Sequence, residues 1–538
     1  MGSLRIMFLF FRIKKFLLII IYLILLFCIF ENCKLDLNNP SDSNSKSYFE
    51  TAAMNVYLRT ICSPFIRGNV KIGSGNYTVL PQSFLPLKNG NYIVTASVSE
   101  QVSWSGKNFG VNYSYTGVTG TDASIVIFQV NGRTFEIDWL DYLGPAATTT
   151  ANSNFSSLSE FSNGDIGIFT QVQGTEQPGA ISTKLNPQAF MAVRFSPSGS
   201  RVWFTYLDMA TGSFSIDKIA HVVDSNDRMH LFFTSIGTAT NTPNTVGIIE
   251  FPAPTVASNG LVAGQKEIGW AILNGNGIPQ RQRFLRGLSD LEVITAIYSK
   301  DGNIMLGGST LNSIENYPGH PAVNFQRGFS ALLSSNTIDI LNVTYIGSNN
   351  TSFNLGKLES IKLANDGYYG TGVAAGSYGF PIHDYQYFPS GNFRNYSFVK
   401  FDLNGNLLWN QFLGSAVTNV IDQVPAITYI SYYDEIRAKL LGTDAGAWMT
   451  GLDSISYGTG FNPYQDVTLH INGKTGRYGS IRYENNIFNT SPVSGLVGMN
   501  VIIQDVCNGR LVSLKRYLNF PAANGYLELS TKPPIEEL

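Results

Sequence analysis

The 538-residue sequence predicts an all-β fold, a β-propeller of six or seven four-stranded blades with seven favoured, behind an N-terminal signal and a flexible tether. Two alternating hairpin phrases and a composition suited to buried sheets predict it.

The first phrase is clearest from Tyr396 to Gly414, where a strand runs into Asp402-Leu-Asn404-Gly405-Asn406 and a second strand carries Trp409 and Phe412-Leu413. Asn-Gly between two apolar strands is a strong hairpin signal, because tight turns need residues that tolerate positive φ. Gly199 repeats the spacing with Trp203 and Tyr206-Leu207, and Gly277 repeats it with Phe284-Leu285, Arg281 standing where the Trp would be. Looser copies centre on Asn131-Gly132, Ser335-Asn336 and Asn508-Gly509, and Asn472-Gly473 fits less well.

The second phrase is a turn followed by a short strand ending in small residues. It reads Asn89-Gly90 to Ala96, Asn163-Gly164 to Phe169, Asp301-Gly302 to Gly308 and Asp366-Gly367 to Gly372. Degenerate copies begin at Asn226 and Tyr433, and successive members lie about 62 to 75 residues apart. One unit is therefore two hairpins, or four antiparallel strands. Such a unit cannot bury its face alone, so tandem copies must stack openly or close into a ring, and the ring leaves no long exposed edge.

Six complete units are countable, and the Gly509 copy lacks a partner hairpin. Strands from residues 56 to 80 would complete a seventh blade. That closure would bring Cys62 toward Cys507, so these two cysteines either pair in an oxidising compartment or remain separate buried thiols.

Only 14% of residues are charged, 13% are aromatic, and glycine contributes 52. Aromatics suit buried sheets and glycines suit turns. The formal net charge of −2 excludes a general nucleic-acid surface, which needs a basic face.

At the N-terminus Arg5, Arg12, Lys14 and Lys15 precede an apolar run from Phe16 to Phe30, the pattern of an export signal. The run is about 22 Å long as a helix at ~1.5 Å per residue, short of a ~30 Å hydrocarbon core. Cys28 follows the bulky Phe27 inside the run, whereas Cys33 follows Asn32 at its polar edge. Cys33 is therefore the candidate lipid attachment site, the alternative being an ordinary cysteine beside the signal. Residues from Lys34 to Ser47, rich in Asn, Ser and Asp, form the tether.

The segment from Leu35 to Tyr48 resembles the start of mature spirochaetal (leptospiral-type) surface lipoproteins. The Asn-Gly-Asn-Leu-Leu-Trp409 phrase resembles a bacterial β-propeller repeat family whose units read hydrophobic strand, Asp-x-x-Gly-Asn, strand, Trp. These resemblances imply a propeller at the cell envelope and are silent about chemistry. The Gly-to-Trp offsets at Trp203 and Trp409 also resemble blade-docking pairs of quinoprotein propellers. The cofactor of those proteins is not implied, since no vicinal cysteines are present.

Signatures for catalysis are absent from the sequence. The five histidines form no metal-binding cluster, no Gly-x-Ser-x-Gly elbow occurs, and Gly370-Thr-Gly372-Val-Ala-Ala375 matches a dinucleotide pattern only inside a strand phrase. Asp402 to Asn406 lacks the downstream acid of a calcium loop, and the carboxylate pair Asp138 and Asp141 has no assigned role. No catalytic residue, metal or cofactor is assigned. The loop group His383, Asp384 and Tyr387 is the candidate binding site.

The expected organisation is a lipoprotein-type signal at 1–32, a lipid-anchored tether at 33–55, a propeller at 56–530 and a tail at 531–538. The expected function is a lipid-anchored, outer-membrane or surface binding or scaffold protein, adhesin-like, meeting a protein or glycan through loops at 145–156, 309–328 and 376–396. The alternative is an exported glycan hydrolase or lyase with its site over the central channel.

Overall fold

The computed structural model describes residues 69–532, interrupted chiefly at 73–78, 100–123, 146–155, 209–212, 215–218, 237–247, 258–264, 319–325, 348–355, 375–394, 414–425, 431–434, 441–465, 485–500, 505–510 and 519–524. Cys33, Cys62, Cys507, His383, Asp384 and Tyr387 lie outside the described residues, as do the signal and the tether. Phe65–Leu538 is one compact unit.

Every strand is antiparallel to its sheet neighbours, as two-hairpin units require. β1 (Asn69–Ile72) precedes the first complete sheet, which holds β2 (Val79–Pro86), β3 (Tyr92–Val98), β4 (Ser124–Val130) and β5 (Ile137–Pro145). The second holds β6 (Ser156–Glu160), β7 (Ile166–Gln173), β8 (Gln188–Phe195) and β9 (Arg201–Leu207). In the third, β10 (Ser213–Phe214) and β11 (Ala220–Val223) both pair with β12 (Met229–Ile236), followed by β13 (Lys266–Leu273) and β14 (Pro279–Leu285).

The fourth sheet holds β15 (Leu291–Tyr298), β16 (Asn303–Thr310), β17 (Arg327–Ser334) and β18 (Ile340–Ile346). The fifth holds β19 (Gly356–Ala364), β20 (Gly367–Ala374), β21 (Asn395–Phe401) and β22 (Leu407–Leu413). The sixth holds β23 (Ala426–Ile430), β24 (Glu435–Leu440), β25 (Asp466–Asn472) and β26 (Tyr478–Glu484). β27 (Val501–Gln504), β28 (Leu511–Leu518) and β29 (Gly525–Lys532) form the last, and β1 completes it in the order β1-β29-β28-β27.

These sheets are the blades of a propeller. Their first strands contact one another in succession through β2, β6, β11, β15, β19, β23 and β27, and β27 contacts β2. Hydrophobic clusters lie between adjacent sheets, as a ring of stacked faces demands. Leu527 and Leu529 of β29 share a cluster with Val79, Tyr92 and Val94 of the first blade, while Phe190 of the second shares one with Phe233 of the third.

Closure differs from the sequence expectation in two respects. Among the described residues before the first blade, one strand, β1, registered Asn69 to Ser530, joins the last blade where the sequence predicts a hairpin. The Asn508-Gly509 copy lies between β27 and β28, the first two strands of its blade, rather than between the third and fourth. The two hairpins of a blade need the same turn chemistry, so the turn alone does not reveal which hairpin it closes. Asn472-Gly473, the less regular copy, does lie between a third and a fourth strand, β25 and β26.

The first phrase works by docking neighbouring blades. Gly277, at φ +78°, leaves no room for a Cβ, which would sit 2.6 Å from the Trp203 indole of the preceding blade. Trp203 Nε1–H donates to the Gly275 carbonyl at 2.8 Å. Trp139 occupies the same place one blade earlier, against Gly199, and donates to the Pro197 carbonyl at 3.1 Å. In the third blade Arg281 replaces the indole and donates to Asn336 O at 2.7 Å; in the fourth Asn342 Nδ2 donates to Asn404 O at 3.0 Å. The constant element is a donor aimed at a turn carbonyl of the next blade.

The small residues of the second phrase tie innermost strands together. Thr95 Oγ1 and Ser156 Oγ are 2.5 Å apart across the first two blades, and Thr234 Oγ1 accepts from the Val293 amide at 3.4 Å across the third and fourth. A deeper tie crosses from β5 to β9. Arg201 Nε lies 2.7 Å from Asp141 Oδ2, with the Asp141 side chain fully buried, and the remaining guanidinium donors reach Tyr142 O and Gln177 Oε1.

Gly370 and Gly372 are packing positions of β20: a Cβ at Gly370 would lie 2.8 Å from Leu358 Cδ1, and one at Gly372 would strike the Lys357 carbonyl. Asp402 caps its own turn by accepting from the Asn404 and Asn406 amides at 2.9 and 2.8 Å. Asn274 and Ser196 do the same work in other blades.

Candidate functional site

The two faces of the ring differ in the length of their connections. Links between first and second strands, and between third and fourth, are short: 87–91, 161–165, 224–228 and 299–302 among the former, 131–136, 196–200, 274–278, 335–339 and 402–406 among the latter. Antiparallel order puts all of these on one face. The opposite face carries the links from second to third strand, long at 99–123, 174–187, 237–265, 311–326, 375–394 and 441–465 and short at 519–524, together with those between blades, of which 286–290 is also short. Of the loops expected to meet a partner, residues 311–318 leave the end of β16 on this long-loop face, whereas 146–155, 319–325 and 376–394 lie outside the described residues.

Parts of these loops serve the fold. Ile181 N donates to Phe204 O, Thr255 N to Gln282 O, and Tyr317 Oη to Ile340 O, covering the open edges of the outermost strands β9, β14 and β18. Such edges are otherwise templates for aggregation.

On the same face a cavity of about 230 Å³ is lined by Asp290, Glu292, Ser309, Leu311 and Gln326. The fold assembles it from three places in the chain. Asp290 and Glu292 flank the start of β15, Ser309 and Leu311 flank the end of β16, and Gln326 immediately precedes β17. Leu311 N donates to Asp290 O at 2.9 Å and so holds two walls together. From the preceding blade, Lys266 donates its amide to Asp290 Oδ1 at 3.2 Å and its ammonium to Glu292 Oε1 at 2.5 Å. Gln326 Nε2 donates to Ser309 Oγ at 3.1 Å. Each carboxylate thus has an oxygen engaged by Lys266.

Two buried histidines lie elsewhere, both neutral. His221, on β11, accepts or donates at Nε2 to Ser159 Oγ at 2.6 Å, and its amide donates to Ser157 Oγ; burial pushes the imidazole down to about 3. Its Nδ1 is buried and has no hydrogen-bond partner among the described residues. This Ser–His contact ties β6 to β11 and lacks the acid that orients a nucleophilic pair.

His230 accepts at Nδ1 from Trp270 Nε1–H at 3.2 Å, and an indole can only donate. The proton therefore sits on Nε2, facing Asp224 Oδ2 at 3.1 Å. Burial lowers the His230 pKa, outweighing the raising effect of Asp224. For Asp224 burial acts upward, yet the hydrogen bonds from His230 and Arg228 hold its carboxyl well below the usual range.

Among the described residues no group of three or more His, Cys, Asp or Glu side chains could hold a metal ion. Asp138 accepts from Gln129 and Asn131, while Asp141 is bound by Arg201, so that carboxylate pair is structural. The sequence reading missed the cavity. Its residues are ordinary polar types spread over 37 positions, from Asp290 to Gln326, and only the sheet brings them together.

No protein-family model and no curated protein matches this chain. Solved structures are similar over most of its length at low identity. An α-L-arabinofuranosidase, Arb93A from Fusarium graminearum, is 10% identical, with a TM-score of 0.38 over 70% of this chain and 92% of that one. A protein of unknown function from Dyadobacter fermentans is 9% identical, with a TM-score of 0.37 over 87% and 98%. A variant of Synechocystis apocarotenoid oxygenase is 10% identical, with a TM-score of 0.33 over 89% and 96%. The propeller assignment rests on the sheet order and inter-blade contacts of this chain itself.

Proposed function

We propose that this chain is an exported, lipid-anchored binding propeller of the cell envelope that engages a protein or glycan through its long-loop face. The observation carrying this reading is the asymmetry of the ring: short turns on one side, and on the other the second-to-third strand connections of the first six blades, each of 14 residues or more. Stability alone needs only short turns, and binding residues concentrate on loops presented by a rigid scaffold. The export signal and Cys33 supply the address, with outer membrane or cell surface as the destination and the lipid as the membrane contact.

Full-length protein applied to arrays of glycans and extracellular proteins tests the reading. Binding should be lost when residues 376–394 are replaced by a short Gly-Ser linker and retained after Asn276→Ser on the opposite face. Equal loss in both, or no binding at all, counts against it. Metabolic labelling with a lipid precursor should disappear in Cys33→Ala. The shared cavity of Asp290 and Glu292 favours a second reading, an exported glycan-acting enzyme, which release of reducing ends from bound glycans would support.

A further inference from the structure

We propose that the rim of the short-turn face rests on a lipid surface and so turns the long loops away from the membrane. This rests on the envelope-anchored reading above and adds its orientation. Strand direction places the entry of the chain at that rim. β28 and β29 join through 519–524 on the long-loop face, so β29 runs toward the short turns. β1, antiparallel to β29, therefore starts beside the short turns, with Asn69 opposite Ser530. The chain leading from Cys33 enters the fold at this face, 36 positions on at Asn69.

The same rim carries the exposed apolar side chains. Among the described residues five large hydrophobics are exposed, at 43% to 54%, and all five sit there. Val202, Leu341 and Leu408 are the second residues of the outermost strands β9, β18 and β22, each one place before its docking donor, and Ile278 immediately precedes β14. Ile181 belongs to a long loop but runs back along β9 to this rim, where a Cβ at Gly277 would lie 2.8 Å from its Cδ1. Such residues mean little singly, and their shared position is what carries weight. Asp138 holds the place in the first blade, so the arc spans the second to the fifth. A lipid surface suits an arc of aliphatic side chains on one face of a ring, because such groups bury in the headgroup–acyl boundary. A protein partner instead calls for clustered aromatic or arginine anchors in a pocket.

The protein purified from membranes and reconstituted into phosphatidylcholine vesicles containing a diazirine-bearing acyl chain tests the orientation by photolabelling and peptide mapping. Label should fall on the peptides of Val202, Ile278, Leu341 and Leu408 and spare those of Asp290 and Gln326 on the opposite face. Leu341→Ser with Leu408→Ser, checked for unchanged thermal unfolding, should cut the label at Val202 and Ile278 about tenfold, since two half-exposed leucines lose their transfer from water. Label confined to the N-terminal segment, or equal on both faces, overturns the proposal. An unlabelled rim whose double variant changes the sedimentation coefficient overturns it in favour of a second copy of this chain. The lipid-precursor experiment reports separately. Rim labelling without lipid on Cys33 keeps the orientation and drops the anchor, whereas lipid on Cys33 with an unlabelled rim does the reverse.

Discussion

Acid should unfold this ring through His221. The imidazole is buried at 4% exposure and its pKa is pushed from 6.5 to about 3, so the folded protein refuses a proton that the unfolded chain accepts. The stability it contributes is present above about pH 6.5 and is lost as pH falls toward 3, because the unfolded state binds more protons throughout that window. At ~1.36 kcal/mol per pKa unit the full loss is about 5 kcal/mol, and about 2 kcal/mol of it has accrued by pH 5. His221→Gln removes the titrating group and keeps a side chain able to meet Ser159. Urea unfolding at pH 7.5 and pH 5 should show the native protein losing about 2 kcal/mol more than the variant. His230, also depressed by burial, is present in both proteins and cancels. Equal losses in the two proteins, or a His221 Cε1 resonance titrating near pH 6.5 in the folded state, would refute the argument.

Gly277→Ala should cost at least 2 kcal/mol, from about 1–2 kcal/mol of left-handed backbone strain plus the collision with Trp203; an unchanged urea midpoint contradicts the docking scheme. Arg201→Met should cost about 3–5 kcal/mol by leaving the Asp141 carboxylate buried without its cation. Asp141→Asn in the same background should recover part of that loss, and failure to recover would show that packing, not charge, sets the cost.

The blade pattern was legible because each turn demands a left-handed residue and its strand a fixed offset. Trp139 escaped because its turn, 131–136, is one residue longer and carries Phe135 in the left-handed position, which shifts the offset from the glycine. Arg281 was legible at the Trp position but not as its substitute in docking, and Asn342 was not legible at all, for a different reason. A turn carbonyl accepts equally from an indole, a guanidinium or an amide, so the interaction persists where the residue type does not. The cavity lay beyond reach because no periodicity links a hydroxyl at the end of one strand to a carboxylate at the start of another.

β1 makes the last blade depend on the first residues of the fold. Asn69 pairs with Ser530, so the earliest of the described strands to leave the ribosome waits for its partner until nearly the whole chain has followed. Each interior blade can pair its strands locally as it emerges, but the ring latches only when the two ends meet, the slow kind of contact in folding. A chain cut before Gly525 would keep most of its blades and lose the clasp, leaving β1 an idle strand and the first blade with an open flank.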